Sequence, residues 1–257
     1  MKLAYSTIIH GDLFAYSGRI STVIRVTGGP FKVPYLSAVD SRDPSFAEET
    51  EFFLDLALEQ SKEDGETSAV VLTGIEPLWQ GNAIFELTKK LREVGFFVKV
   101  ETSGFYPSDL RSVADVANFV SLDYKHILTS NNYLPLIGEK TNFDVFQSNL
   151  LKSLVFMEHG KAFKEVKTVI IPGINDSVEV VENIAKTVHN SCDQYTLQQF
   201  VPWPIPLLDP RFEPIVPPTR LQLLELAQFA RQHVGKVVVK CHESEEQEVI
   251  PKTAKQK

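Results

Sequence analysis

The apolar residues of this chain follow two rhythms that take turns. Short, dense runs sit at residues 20–26, 70–72, 96–101, 119–123, 166–171, 195–200 and 236–240, and their length and composition predict β-strands. Between them the apolar spacing changes to three and four residues, which is one face of a helix. Phe52, Phe53, Leu56 and Ala57 mark a first helix running to about residue 63, with Ser45 and Glu48 reading as a capping box at its start. Ile84, Leu87 and Leu91 mark a second helix over 82–93, stopped by Gly95. Ser108 opens a short third helix ending near Ala117. Asp144 caps a fourth, which carries Val145, Phe146, Leu150, Leu151 and Leu154 as far as Gly160. Ser177 opens a fifth with Val178, Val181, Ile184, Ala185 and Val188 on one side, and Thr219 caps a last helix over 220–233. Residues 3–10 predict a strand ahead of this alternation, with Gly11-Asp12 as a turn.

Strand and helix alternating in this way imply parallel strands joined by right-handed crossovers. The strands read as nearly continuous apolar runs, the pattern of a sheet covered on both faces. An open sheet and a barrel both satisfy it. A chain of 257 residues suits one α/β unit, and neither an internal repeat nor a domain boundary is visible. The expected organisation is one domain over 1–240 and a charged tail over 241–257. Residues 200–218 stand apart: seven prolines there are interleaved with Phe200, Trp203, Leu207, Leu208 and Phe212. This Phe200–Phe212 segment reads either as a connection packed across the fold or as an aromatic surface for a protein partner.

Composition narrows the function classes. A net charge of −7 argues against the broad basic face that nucleic acid requires. No apolar run is long enough to span a bilayer and no long apolar stretch opens the chain, so the expected location is cytoplasmic, away from membranes. The only two cysteines, Cys192 and Cys241, cannot build a four-thiolate metal site and read as buried thiols. Cys241-His242 would be half of a metal site only with a second pair, which the neighbouring sequence lacks, and His10, His126, His159, His189 and His233 show no ligand spacing.

Ligands of parallel α/β folds bind at the carboxyl ends of the strands. Here those ends carry Thr73-Gly74-Ile75-Glu76-Pro77, Glu101-Thr102-Ser103-Gly104, Asp123-Tyr124-Lys125-His126 and Gly173-Ile174-Asn175-Asp176, which would set Glu76, Glu101, Asp123, Lys125 and Asp176 around one mouth. Glu76 reads equally as a ligand carboxylate or as a charge favoured at a helix start. Asp123 with Lys125 reads as a ligand pair or a plain ion pair. Asn175-Asp176 reads as turn and cap chemistry.

Residues 27–37, Thr-Gly-Gly-Pro-Phe-Lys-Val-Pro-Tyr-Leu-Ser, leave the first of the alternating strands as a Gly- and Pro-rich loop. This loop resembles the cluster-binding loop of radical S-adenosylmethionine (SAM) enzymes, above all the branch that activates pyruvate formate-lyase and anaerobic ribonucleotide reductase. That family reads Cys-x-x-x-Cys-x-x-Cys. Aligned on Phe31-Lys32, Pro34 and Tyr35, the three cysteine positions here hold Gly29, Val33 and Leu36. Residues 73–77 resemble the Gly-Gly-Glu-Pro motif that holds the SAM amino group, with Ile75 in place of the second glycine. Residues 101–104 and 122–125 resemble the segments that contact the SAM ribose and carboxylate. Residues 169–176 resemble that branch's fifth strand and turn, and Tyr35 matches an aromatic that lies near adenine.

The resemblance covers about residues 5–235 and implies a partial (β/α)6 TIM-like barrel of the radical SAM type. It also implies a candidate ligand mouth made of Tyr35, Gly74, Glu76, Glu101, Thr102, Ser103, Asp123 and Lys125. Iron–sulfur clusters are held by thiolates, which Gly29, Val33 and Leu36 do not supply. The expectation is therefore a degenerate member: no 4Fe-4S cluster, no radical catalysis, and a pseudoenzyme that binds a small molecule or a protein. SAM or a related nucleoside stays open as its ligand. Two other readings remain. One is a non-radical enzyme using the mouth carboxylates and Lys125. The other is an activating-type radical enzyme with unusual cluster ligands, for which Cys192, Cys241 or histidines would have to reach the first loop.

Overall fold

A computed structural model describes residues 1–37, 46–203, 206–242 and 247–249. The chain begins with a long strand, β1 (Lys2–Asp12), which turns back antiparallel onto β2 (Ser21–Val26). Asp12 builds that turn: its carboxylate accepts hydrogen bonds from the Phe14 and Ala15 amides. A short strand, β3 (Phe46–Glu49), pairs with the other edge of β1 and runs straight into α1 (Thr50–Asp64). Strand and helix then alternate through β4 (Ala69–Gly74), α2 (Gly81–Glu93), β5 (Phe97–Thr102), α3 (Pro107–Ala114) and β6 (Phe119–Asp123). Two helices, α4 (Ser130–Ile137) and α5 (Phe143–His159), lead to β7 (Phe163–Ile170). The chain continues through α6 (Val178–Val188), β8 (Gln194–Gln199), α7 (Arg220–Ala230) and β9 (Val237–Lys240). A last strand, β10 (Gln247–Glu248), pairs antiparallel with β9.

All these strands form one sheet in the order β10-β9-β8-β7-β6-β5-β4-β2-β1-β3. From β2 to β9 every pairing is parallel, so the sheet contains six β/α units followed by β9. It is the partial barrel expected, open between β10 and β3. No helix of the described residues is long and apolar enough to cross a membrane.

Four local expectations change. Ser45 lies outside the described residues, and Phe46–Glu49 are extended, so the first helix starts at Thr50 without a capping box. Backbone pairing of these four residues with Lys2–Tyr5 outweighs one side-chain cap. Asn142, not Asp144, caps α5, accepting a hydrogen bond from the Val145 amide at 3.2 Å; Asp144 sits in the first turn. Helix α4 was not expected, because it is short, opens on Ser130-Asn131-Asn132 and contains Pro135. Of the charged tail, residues 247 and 248 extend the sheet and Val249 is buried, its amide bonded to the Val237 carbonyl. Pro204, residues 243–246 and residues 250–257 lie outside the described residues.

The two faces of the sheet differ in chemistry. Outward positions such as Ile24, Leu72, Val100, Leu122, Val166 and Leu197 are fully buried under the helices, in one core with Phe53, Leu87, Phe146, Leu150 and Ile184. Inward, a small apolar plug of Tyr16, Val23, Ala69, Val71 and Phe119 closes the lower end. Beside and above the plug most inward positions are polar: Lys99 and Glu101 on β5, Glu165 and Lys167 on β7, and Gln194, Thr196 and Gln198 on β8. Continuous apolar strands were expected; β5, β7 and β8 instead alternate with period two around a polar interior.

The N-cap of α7 is as expected, with Gln222 completing the box: the Thr219 hydroxyl accepts from the Gln222 amide and the Gln222 side chain accepts from the Thr219 amide. Thr219→Ala should therefore lower stability by about 1 kcal/mol. Urea denaturation checks this, with the midpoint shifted and the slope unchanged.

Candidate functional site

The polar interior is built around Lys99. Its ammonium lies 3.2 Å from Glu101 Oε1, 3.2 Å from Glu165 Oε2 and 3.1 Å from the Ala15 carbonyl. Burial alone pushes the Lys99 ammonium down, and the two carboxylates outweigh it, so the net shift is upward. Glu165 accepts hydrogen bonds from the Ser121 and Thr196 hydroxyls, both at 2.6 Å. Burial raises its carboxyl, and Lys99, Lys167 and Lys240 pull it back further, to about 2. Glu101 also receives the Thr73 hydroxyl at 2.8 Å and the Lys167 ammonium at 3.1 Å. Burial opposes its charge too, but Lys167 and Lys99 hold its carboxyl well below the usual range.

Nearer the mouth, the Lys125 ammonium contacts the Asp123 carboxylate and donates to the Tyr35 hydroxyl at 2.7 Å. The Lys125 backbone is fixed as well: its amide donates to Tyr133 Oη at 3.0 Å and its carbonyl accepts from the Asn175 side chain at 2.8 Å. Burial lowers the Lys125 ammonium, but Asp123 and Tyr35 more than compensate, and the net shift is upward. Burial raises the Tyr35 hydroxyl to about 12 despite Lys125. The second Asp123 oxygen, Oδ1, is buried with no hydrogen-bond partner among the described residues.

Glu76 is fully buried and its carboxylate is spent inside the protein. It accepts from the Leu78 amide at 3.0 Å, the Thr102 hydroxyl at 2.8 Å, the Ser103 amide at 2.9 Å and the Ser103 hydroxyl. Burial pushes its carboxyl up against the pull of these donors. Glu76, Thr102 and Ser103 thus form a latch between the ends of β4 and β5. Gly74 has a backbone role too: its φ is +139°, and a Cβ there would lie 2.1 Å from the Val26 carbonyl oxygen. Asp176 leaves the expected ring; it borders a separate groove of about 230 Å³ with Val178 and Phe229. Asn175 does turn work, bonded to the Ile171 amide and the Val169 carbonyl.

The 27–37 loop is packed as protein interior. Phe31 meets Phe105 and Phe146 edge-on at 5.1 and 5.6 Å, and Val33 is buried. The Pro-rich crossing lies over this loop: the Leu208 and Asp209 amides donate to the Leu36 and Pro34 carbonyls, and Phe200 and Phe212 pack on Tyr35. Those two aromatics and Leu207 face inward, while Trp203 is 70% exposed. A 4Fe-4S cluster does not fit the residues present. Gly29, Val33 and Leu36 offer no donor atom, and a Cβ at Gly29 would sit 3.3 Å from Glu76 Cβ. Cys192 lies at the start of β8, the opposite end of the sheet from this loop, its thiol pushed up to about 12 by burial. Among the described residues, no group of three or more His, Cys, Asp or Glu could hold a metal ion.

Two adjoining cavities occupy the interior. One, of about 180 Å³, brings together Tyr35, Gly74, Glu101, Thr102, Ser103, Asp123 and Lys125. This is the expected mouth without Glu76. The other, of about 360 Å³, lies toward β1 and β9, and the two share Arg25, Tyr35, Thr73, Glu101, Lys167 and Gln198.

No protein-family model matches the chain. A protein of Methanocaldococcus jannaschii, named as a proposed glycyl-radical enzyme activating enzyme, is 26% identical over 246 residues, spanning 93% of this chain and 97% of its own. Among solved structures, a radical SAM methyltransferase from Sphaerobacter thermophilus superposes with a TM-score of 0.69 at 16% identity, over 89% of this chain and 68% of its own. A domain of pyruvate-formate lyase-activating enzyme from Bacteroides vulgatus gives 0.51 at 15% identity, over 67% and 98%. The chain has the radical SAM fold. Its likeness to the activating enzymes, first visible in the 27–37 loop and the strand ends, extends along nearly the whole sequence.

The residues missed at the sequence level are Arg25, Lys99, Glu165, Lys167 and Lys240. The signal for Lys99, Glu165 and Lys167 was the alternation of charged and apolar residues within 97–102 and 163–170, which a search for apolar runs passes over; Arg25 and Lys240 are single charges in otherwise apolar strands. Glu76→Gln places an NH₂ group against the Ser103 amide and should cost about 1–3 kcal/mol, measured by chemical denaturation. Glu165 gives a pH prediction. Its carboxyl is lowered in the folded state, so its stabilising contribution is full above the ordinary value of 4.5 and is lost as pH falls toward about 2. Thermal melts across that interval should fall less steeply for Glu165→Gln than for the wild type.

Proposed function

We propose that this chain is a binding protein on the radical SAM fold, without a 4Fe-4S cluster or radical chemistry, whose barrel mouth receives a small molecule. The observation that carries this reading is the cluster loop, in which Gly29, Val33 and Leu36 stand at the three ligand positions and the loop is sealed by Phe31, Val33 and the overlying Pro-rich crossing.

Asp123 supports a ligand at the mouth. A buried carboxylate oxygen without a donor is costly, and a ligand hydroxyl or ammonium group would satisfy it. Protonation states favour binding over general acid–base catalysis at this place. Lys125 and Tyr35 both keep their protons at neutral pH, so neither serves as a base. The mouth cavity, at about 180 Å³, is below the ~300–1,000 Å³ typical of drug-sized ligands. Intact SAM would therefore have to enter the second cavity as well, and a smaller nucleoside fragment suits the mouth better. A protein partner is the second form of this proposal, and Trp203, exposed on the Pro-rich crossing, is the side chain to test for it.

Anaerobic purification followed by reconstitution with iron and sulfide tests the first half. The expected result is colourless protein with trace iron; stoichiometric iron and sulfide with a brown chromophore would overturn it. A thermal-shift titration with SAM, its deoxyadenosyl and demethylated relatives and common nucleosides tests the second half. A nucleoside that stabilises the wild type should stabilise Asp123→Asn about tenfold more weakly in concentration.

A further inference from the structure

The larger cavity has no part in the mouth reading, and one polar side chain on its wall is unlike its neighbours. Most of the polar groups there are already met by other protein atoms. The Asp12 carboxylate receives the Phe14 and Ala15 amides. Thr73 and Lys167 both donate to Glu101, and Lys125 donates to Tyr35. Gln199 is used at both ends: its NH₂ group donates to the Pro218 carbonyl at 2.8 Å, and its side-chain oxygen accepts from the His242 amide at 3.1 Å. Arg25, Ser37 and Lys240 have partners as well. Gln198, the residue before Gln199 on β8, differs. It lines both cavities, and its side-chain amide makes no hydrogen bond with the described residues.

Two properties of a ligand follow. The charged groups on the wall are engaged, so a ligand with a net charge would bring one into the interior without a counterpart, at the cost of desolvating it. An uncharged molecule avoids that cost. The second property comes from the Gln198 amide, which holds a donor beside an acceptor in one plane. A carboxamide or lactam edge presents the complementary acceptor and donor and meets both at once, as glutamine does with the edge of adenine. A carboxylate brings two acceptors, and a ketone brings one. The rest of the cavity suits an apolar body: Val23 and Val71 form its floor, and Phe14, Val169 and Phe200 border the same space. Its volume of about 360 Å³ lies at the small end of the ~300–1,000 Å³ range for organic ligands. We propose that this cavity binds an uncharged planar molecule through a carboxamide-type edge paired with Gln198, its apolar body lying over Val23 and Val71. The inference rests neither on the missing cluster nor on Asp123, so the iron analysis and the Asp123→Asn titration can fail while it stands, and the reverse.

The probe is benzamide, read by the melting temperature and by saturation-transfer NMR on the probe itself. Acetophenone has the same shape with the acceptor alone, benzoate carries a charge, and adenine carries the donor–acceptor edge on a base. Benzamide should raise the melting temperature saturably, with acetophenone and benzoate at least about tenfold weaker, the size of one lost hydrogen bond. A larger shift with adenine than with benzamide supports the same edge and names a base as its source. Gln198→Leu removes the edge without breaking a hydrogen bond to the described residues. The free variant should therefore melt at or above the wild-type temperature while benzamide weakens at least about tenfold. Gln198→Glu, a second variant, keeps the volume and loses the donor, and should weaken benzamide in the same way. No saturable shift with benzamide or adenine up to about 5 mM would overturn the assignment. Equal shifts with benzamide and acetophenone, tighter binding of benzoate, or undiminished binding in both variants would do the same.

Discussion

Lys99, held between Glu101 and Glu165, is the constraint around which the interior of this barrel is arranged. Burying three charges costs several kcal/mol per ion unless nearly every lone pair and proton is met. The strands supply what is missing. Ser121 comes from β6, Thr196 and Gln194 from β8, Thr73 from β4 and Lys167 from β7. Thr73, Ser121, Gln194 and Thr196 sit one strand from the carboxylates they meet, and Lys167 reaches Glu101 across β6, so a slip of a single residue in any pairing would turn a charge toward the helices and an aliphatic side chain toward the interior. The network therefore specifies register as much as it adds stability. It also keeps the interior from collapsing into a second apolar core, which is why two cavities remain above the plug of Tyr16, Val23 and Phe119.

The other controlling feature is the fate of the cluster loop. The 27–37 loop leaves the end of β2, and its side chains belong to the packing of the protein. Phe31 enters the outer core, Tyr35 supports Phe200 and Phe212, and the crossing from β8 to α7 is bonded to the Pro34 and Leu36 carbonyls. Glu76 shows the same change of employment. A carboxylate at a strand end could face a ligand, yet here four donors from Leu78, Thr102 and Ser103 consume it. Asp123 Oδ1 remains without a partner among the described residues, with the Lys125–Tyr35 pair beside it and the larger cavity behind them.

Much of the architecture was legible in the chain itself. Apolar runs alternating with helical spacing require parallel strands joined by crossovers, because each helix must return the chain to the same end of the sheet. The identities at 29, 33 and 36 exclude thiolate ligation at those positions by chemistry alone. The strand ends that carry Tyr35, Gly74, Glu101, Asp123 and Lys125 were readable for the same reason: in a parallel sheet, the residues after successive strands must meet at one rim.

Tertiary structure decided which of those residues face the rim and which face the protein. Whether Glu76 meets a ligand or the Ser103 amide depends on how close β4 and β5 stand, a distance that local sequence does not encode. The same holds for Phe46–Glu49, which became a strand because β1 offered its free edge. The inward charges on β5 and β7 look like a solvated face until the sheet curls and brings Glu101 to Lys167 and Lys99 to Glu165. Periodicity along one segment reports that its two sides differ. Only the closure of distant strands determines that one of those sides is an interior, and so that its charges must pair across it.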